Sequence, residues 1–151
     1  MTYALPSRAR VCMRALVIVS VLIALPAGTA GAAASKHEAA VAAKLSAARH
    51  GMGLGAVRVS PSLTAACRSY ARYMVKHGRW AHAAKRGNTG EILAYWPKGS
   101  DRPSRVVSAW MHSTVHHAVI AGRGWRRIGV ASVTGRFRGM KATVWVVRFA
   151  R

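Results

Sequence analysis

Glu91 is an acid in a chain that has almost none: three Asp and Glu residues stand against 24 Lys and Arg. It follows the turn-forming "RGNTG" and opens the apolar run "ILAYW", with His82 nine residues earlier. An imidazole and a carboxylate brought together can orient one another and share a proton. Three more histidines cluster later, in "WMHSTVHHAVI". His112 and His116 are four apart and can share a helical face, while His117 points elsewhere. No glutamate follows His112, so the helical His-Glu-x-x-His metalloprotease pattern is absent. Ser113 near His116 pairs the residue types of a nucleophile and a base, but serine at such a place more often caps or kinks a helix. Cys67 lies on an apolar helical face with no activating partner in view, and reads as a buried, inert thiol. General acid–base chemistry wants two groups with separated pKa values, and Glu91 has no second carboxylate beside it. The chemistry on offer is therefore binding or pairing rather than hydrolysis.

Those residues need elements to hold them. "SKHEAAVAAKLSAARHGMG" reads as a helix. Ser35 stands at the cap and Glu38 three residues on, the capping-box spacing. Val41, Leu45 and Ala48 recur at helical intervals, and Gly51 and Gly53 end the segment. In "VSPSLTAACRSYARYMVKHG", Ser60 caps a second helix and Pro61 takes its first position. Leu63, Ala66, Cys67, Tyr70, Ala71 and Met74 share one face, and Gly78 closes it. Residues 79–90 read as irregular. "EILAYW" is a strand and "PKGSDRP" a loop. "SRVVSAWMHSTVHHAVIAG" is helical, with a break near Ser113. "WRRIGVASV" and "KATVWVVRF" alternate as two strands joined through "TGRFRGM" as an antiparallel hairpin. His50 and His77 fall at helix ends, where imidazole is common. This order predicts an α+β fold: a three-stranded antiparallel sheet flanked by helices.

The first 34 residues read differently. A basic stretch with Arg8, Arg10 and Arg14 precedes an apolar run from Ala15 to Gly28 and then small residues. That is the pattern of a secretory signal peptide, ending near Ala32 or Ala34. The run is short for a membrane span of about 20 residues. The division is thus 1–34 signal peptide and 35–151 one domain, destined for the cell envelope or the extracellular medium. Cys12 would leave with the signal, so Cys67 has no partner for an intrachain disulfide and the fold rests on packing. Setting the three arginines aside leaves 21 of the 24 basic residues against three acids, a balance of +18 over 117 residues. Such a surface attracts polyanions: cell-wall material and other anionic extracellular polymers, or lipid head groups. A plainer reading is a merely solvated basic face. Export argues against a specific nucleic-acid partner, and the residues after the signal contain no membrane span.

The order of motifs resembles the CAP superfamily, which includes cysteine-rich secretory, antigen-five and plant pathogenesis-related proteins, and in particular its bacterial secreted branch. "AARHGMGLGAVRVSPSLTAACRSYARYMVKHGRWAH" is similar to the family's opening, with Arg49, Gly53, Leu54, Ser60 or Ser62, Leu63, Ala71, Met74, Gly78 and His82 in its roles. "GEILAYW" resembles its glutamate-bearing strand. "WMHSTVHHAVI" resembles its later helix, and "IGVASV" and "WVVRF" its closing hairpin. The resemblance spans about residues 38–150 and implies an α-β-α sandwich with a central cleft. In many members two histidines and two glutamates in that cleft hold a divalent metal. Carried over, His82, Glu91 and His116 match three of those positions, and the second glutamate has no counterpart. Ile92 replaces the asparagine after the strand glutamate, and Thr114 and Val115 replace a Pro-Gly pair.

Two imidazoles and a carboxylate are an acceptable three-ligand set for zinc. The alternative is that Glu91 accepts hydrogen bonds and fixes the fold. Trp110 and Trp145 are expected in the core, and Trp80 and Trp125 at the cleft rim. Stacking of the tryptophans on bases or sugars is the alternative. The sequence thus points to a secreted, basic, non-catalytic domain. It would bind an anionic or amphipathic envelope ligand through a cleft lined by His82, Glu91 and His116, with a weakly held zinc as its one conceivable cofactor. A cell-wall or peptide hydrolase using Glu91 and His82, and a polyanion binder acting through charge alone, are the rivals.

Overall fold

The computed structural model describes residues 35–84 and 87–151. The expected signal segment, with Cys12, lies outside the described residues. Among the described residues no helix is long and apolar enough to cross a membrane.

The first helix, α1 (Lys36–Gly51), starts as its sequence requires: Ser35 Oγ accepts the Glu38 N–H at 3.2 Å and Glu38 Oε2 accepts the Ser35 N–H at 2.9 Å. A two-residue strand β1 (Arg58–Val59) leads into α2 (Pro61–His77). Ser60 caps α2 and Gly78 ends it in the left-handed conformation, at φ 61°, where a Cβ would be strained. Next come β2 (Thr89–Pro97), α3 (Pro103–His112) and α4 (Thr114–Ile120). Ser113 separates α3 from α4 in an extended conformation and makes no side-chain cap hydrogen bond, so of the two expected roles, cap or kink, it takes the break. Strands β3 (Arg127–Phe137) and β4 (Met140–Ala150) complete the chain. They run longer than "WRRIGVASV" and "KATVWVVRF" suggest. Only Arg138 and Gly139 turn between them, both at positive φ, the pattern of a tight hairpin turn whose twist matches the strands.

The sheet has four strands in the order β1-β3-β4-β2. The expected three-stranded antiparallel sheet is therefore a four-stranded mixed one. β3 pairs with β4 and β4 with β2, antiparallel as expected, and β1 adds a parallel pairing, Arg58 to Arg127 and Val59 to Ile128. Two residues cannot display an alternating pattern, so that strand leaves no periodic signal.

Both faces of the sheet are covered, because each strand sends alternate side chains to opposite sides. On one side α1, α3 and α4 bury Val41, Leu45, Trp110 and Ile120 against Ile92, Ile128, Trp145 and Val147. On the other, Cys67, Ala71 and Met74 of α2 pack on Leu93, Ala131, Val144 and Val146. Trp110 and Trp145 are core residues as expected. At Gly129 the backbone of Leu63 and Thr64 comes so close that a Cβ would collide with it.

Two buried charged residues tie these layers. Glu38 accepts from Arg68 of α2 (2.8 and 3.0 Å) and from the backbone N–H of Ser132 on β3 (2.8 Å). Arg49 donates to the carbonyls of Gly55, Ile120 (2.6 Å) and Gly122 (3.0 Å). It thereby clamps the end of α4 to the end of α1.

Candidate functional site

Glu91 stands at the start of β2, directly opposite Arg148 of β4. That register makes a cross-strand ion pair on the α2 face of the sheet: Arg148 Nε donates to Glu91 Oε2 at 2.8 Å. The other oxygen, Oε1, accepts the Ala83 N–H at 3.0 Å and lies 3.0 Å from His82 Nδ1. A carboxylate already receiving an arginine and a backbone amide is an acceptor only, so Nδ1 carries the proton it donates to Glu91 and the other ring nitrogen, Nε2, is turned away from the carboxylate.

The loop that carries His82 is irregular, as its glycine-flanked sequence predicts, yet it is held at several points. Trp80 packs edge-on against Tyr95 (4.9 Å) and Phe137 (6.0 Å). It thus anchors the loop in the α2-side core instead of lining a cleft rim. The Tyr70 hydroxyl donates to the Ala81 carbonyl at 2.7 Å, and Glu91 holds Ala83. The His82 side chain remains 60 % exposed, against 12 % for Glu91. The imidazole thus faces solvent on a loop fixed from behind.

These groups line a cleft of about 910 Å³. Its walls are Tyr70 and Tyr73 of α2, Val119 of α4 and Trp125 before β3. Trp125 is half-buried, stacks on Phe149 with ring centroids 6.1 Å apart, and donates its indole N–H to the Val119 carbonyl at 2.8 Å. Trp125 therefore stands at the cleft as expected, as a rigid wall. The Arg148 guanidinium lies 5.1 Å over the Tyr70 ring, a cation–π contact that fixes its plane.

His116, on α4, is half-buried. Burial, and then the charge of His82, push its pKa down, so the two imidazoles feel each other electrostatically. His116 is not among the residues that line the cleft, and no hydrogen bond joins it to Glu91 or to Ser113.

The residues do not fit a metal. Glu91 is engaged at both oxygens, and one partner is a permanent cation that would repel a second. The other acids are used elsewhere: Glu38 at the free edge of β3, and Asp101 on the Gly99 N–H at 3.2 Å. Among the described residues no group of three or more His, Cys, Asp or Glu could hold a metal ion. The expected zinc set of His82, Glu91 and His116 is thus not assembled, because Arg148 takes the carboxylate.

The remaining candidates lie apart. His112 is exposed and bonds the Ser108 carbonyl at 2.8 Å. His117 is half-buried, and His50 and His77 are exposed in last helical turns as expected. Cys67 is fully buried, with burial pushing its thiol up to about 12, in keeping with an inert core residue. Sequence reasoning missed Arg148, Tyr70 and Tyr73 as cleft residues. The signal for Arg148 was present: a lone arginine in the apolar strand "WVVRF".

Two helical layers around a mixed sheet, open at one end as an aromatic cleft with an imidazole–carboxylate–guanidinium group, define a domain of the CAP fold. The chain belongs to the cysteine-rich secretory protein (CAP) family, whose model matches residues 43–149. Its fold is similar to that of an outer surface protein from Borrelia burgdorferi, with a TM-score of 0.62, 18 % identity, and coverage of 74 % of this chain and 89 % of that one. It is also similar to BmVAL-1, with a TM-score of 0.58, 12 % identity, and coverage of 81 % and 80 %. Curated protein sequences gave no significant match.

Proposed function

We propose that this chain is a secreted, non-catalytic binding domain of the cell envelope or extracellular medium. Its cleft takes an anionic or amphipathic ligand, and its basic surface favours anionic polymers, wall material or lipid head groups as surroundings. One observation carries the reading: an aromatic cleft of about 910 Å³ is lined by one connected ionisable group, His82, Glu91 and Arg148. Such pockets, apolar with a few convergent polar groups, suit ligands with one charged end. The leader-like residues 1–34 and the +18 balance beyond them support the location and the charge preference. Glu91 serves here as an orienting acceptor for Arg148, Ala83 and His82, and among the described residues no serine, threonine or cysteine side chain hydrogen-bonds His82, which speaks against the hydrolase reading.

Calorimetry with naphthol, a neutral flat probe, tests the cleft. Saturable one-site binding is expected. Trp125→Ala should weaken it about tenfold, the cost of losing one well-packed aromatic wall. Unsaturable binding, or indifference to Trp125→Ala, would remove the cleft reading. Turnover of wall polymer or peptide that disappears in a folded Glu91→Gln variant would establish the hydrolase instead.

A further inference from the structure

We infer that Arg148 is the anion-anchoring residue of the cleft, a built-in cation at its wall. The preferred ligand is then a carboxylate or phosphate carried on a flat apolar body. This rests on the cleft reading above and adds the charge, the contact atom and the independence from metal.

Three observations converge on Arg148. First, its position is fixed. Nε is bound to Glu91 at 2.8 Å and its carbon lies over the Tyr70 ring at 5.1 Å, while the Tyr70 hydroxyl is itself tied to Ala81. A guanidinium whose plane is set before binding loses little freedom when it pairs with a ligand. Second, its outer nitrogens are available. Arg148 lines the cleft, and among the described residues neither Nη has a hydrogen-bond partner. Two parallel Nη–H groups are the fork that meets a carboxylate or phosphate with two hydrogen bonds. Third, the charge balance favours an anion. One carboxylate, Glu91, answers the arginine, and it already accepts from Ala83 and His82 as well. The other two acids of the chain are spent at the β3 edge and in the loop after β2. An arginine is always charged, so the anchor needs neither a metal nor a particular pH.

The walls define the rest of the ligand. Tyr70, Tyr73 and Trp125 line the same cleft as the guanidinium. A planar apolar body stacks there while its charged group meets Arg148.

The test compares naphthyl phosphate with naphthol by calorimetry on the full chain, in about 0.15 M salt, where charges beyond roughly 8 Å are screened. The phosphate should bind about tenfold to hundredfold more tightly, the range of a charge-assisted hydrogen-bonded pair. Arg148→Gln should abolish that preference, so that the variant binds the two probes with equal affinity. Arg105→Gln, on the far helix α3, should leave both affinities unchanged. Adding zinc should change neither. Equal affinities for the two probes in the unmodified chain would overturn the inference with no variant needed, even if Arg148→Gln failed to fold. So would an equal loss of phosphate affinity in Arg105→Gln, which would assign binding to net charge, or tighter phosphate binding on adding zinc. In each of those cases naphthol still binds and the cleft reading survives. Loss of binding by both probes removes the two together.

Discussion

Glu91 carries more structure than its single charge suggests. It receives Arg148, Ala83 and His82, and so it joins β2, β4 and the loop after α2 in one group. Replacing it with glutamine sets an amide NH2 against the donors on one of its two sides, Arg148 or Ala83 and His82, and leaves a largely buried guanidinium without its counter-charge. Breaking a fully buried pair costs about 3–5 kcal/mol, and residual solvent access at this one reduces the expected loss to about 1–3 kcal/mol. Denaturant unfolding of Glu91→Gln measures it. A loss below the error of the method would mean that the carboxylate holds nothing. The same variant should release the His82 loop, seen as faster amide exchange at Ala83. His82 and Glu91 were legible as partners in the sequence, because a turn and a strand start bring residues nine apart together. Arg148, 57 residues away, was not, since its place beside Glu91 depends on strand register.

At the scale of elements, Glu38 does the equivalent work on the opposite edge of the sheet. The capping box was readable from Ser35 and Glu38 alone. Its second role was not: the carboxylate also takes Arg68 and the free N–H of Ser132, so one side chain joins α1, α2 and β3. Burial pushes the Glu38 carboxyl up, but Arg68 and the backbone donors of Ser132 and Ser35 outweigh it and hold the pKa below the ordinary 4.5. A carboxyl lowered on folding contributes stability that is complete above its unfolded pKa and lost as the pH falls through its folded one. The domain should therefore weaken as the pH drops below about 4.3. Glu38→Gln should cost about 2–4 kcal/mol at neutral pH by orphaning Arg68, and should flatten that acid limb. Denaturant midpoints taken between about pH 6 and pH 3 decide it; an unchanged limb in the variant would deny Glu38 this part. Helix starts and stops at Ser60, Pro61 and Gly78 were likewise readable, since caps are local chemistry. The strand β1 was not, because two residues have no period to recognise.

For the whole molecule the governing quantity is charge. A balance of +18 beyond position 34 repels itself in the compact state. Sodium chloride raised from about 0.01 M to 0.5 M shortens the screening length from about 30 Å to under 5 Å. The melting temperature should rise with it by several degrees, about 1 kcal/mol of stability. Thermal melts at the two concentrations check this, and a flat or falling response would mean that the basic residues are already compensated. Amino-acid order alone determined the α+β class, the helix limits, the antiparallel pairing of the last three long strands and the family, because capping, periodicity and turn chemistry act over a few residues. It also marked His82 and Glu91 as a pair. Only the tertiary structure decided what that pair does. The pairing of β2 with β4 sets Arg148 against Glu91, the packing of α2 lays Tyr70 beneath the guanidinium, and the clamp of Arg49 holds α4 beside Trp125. Each of these contacts joins residues far apart in the chain, and a register or a packing distance leaves no mark in the local sequence on either side.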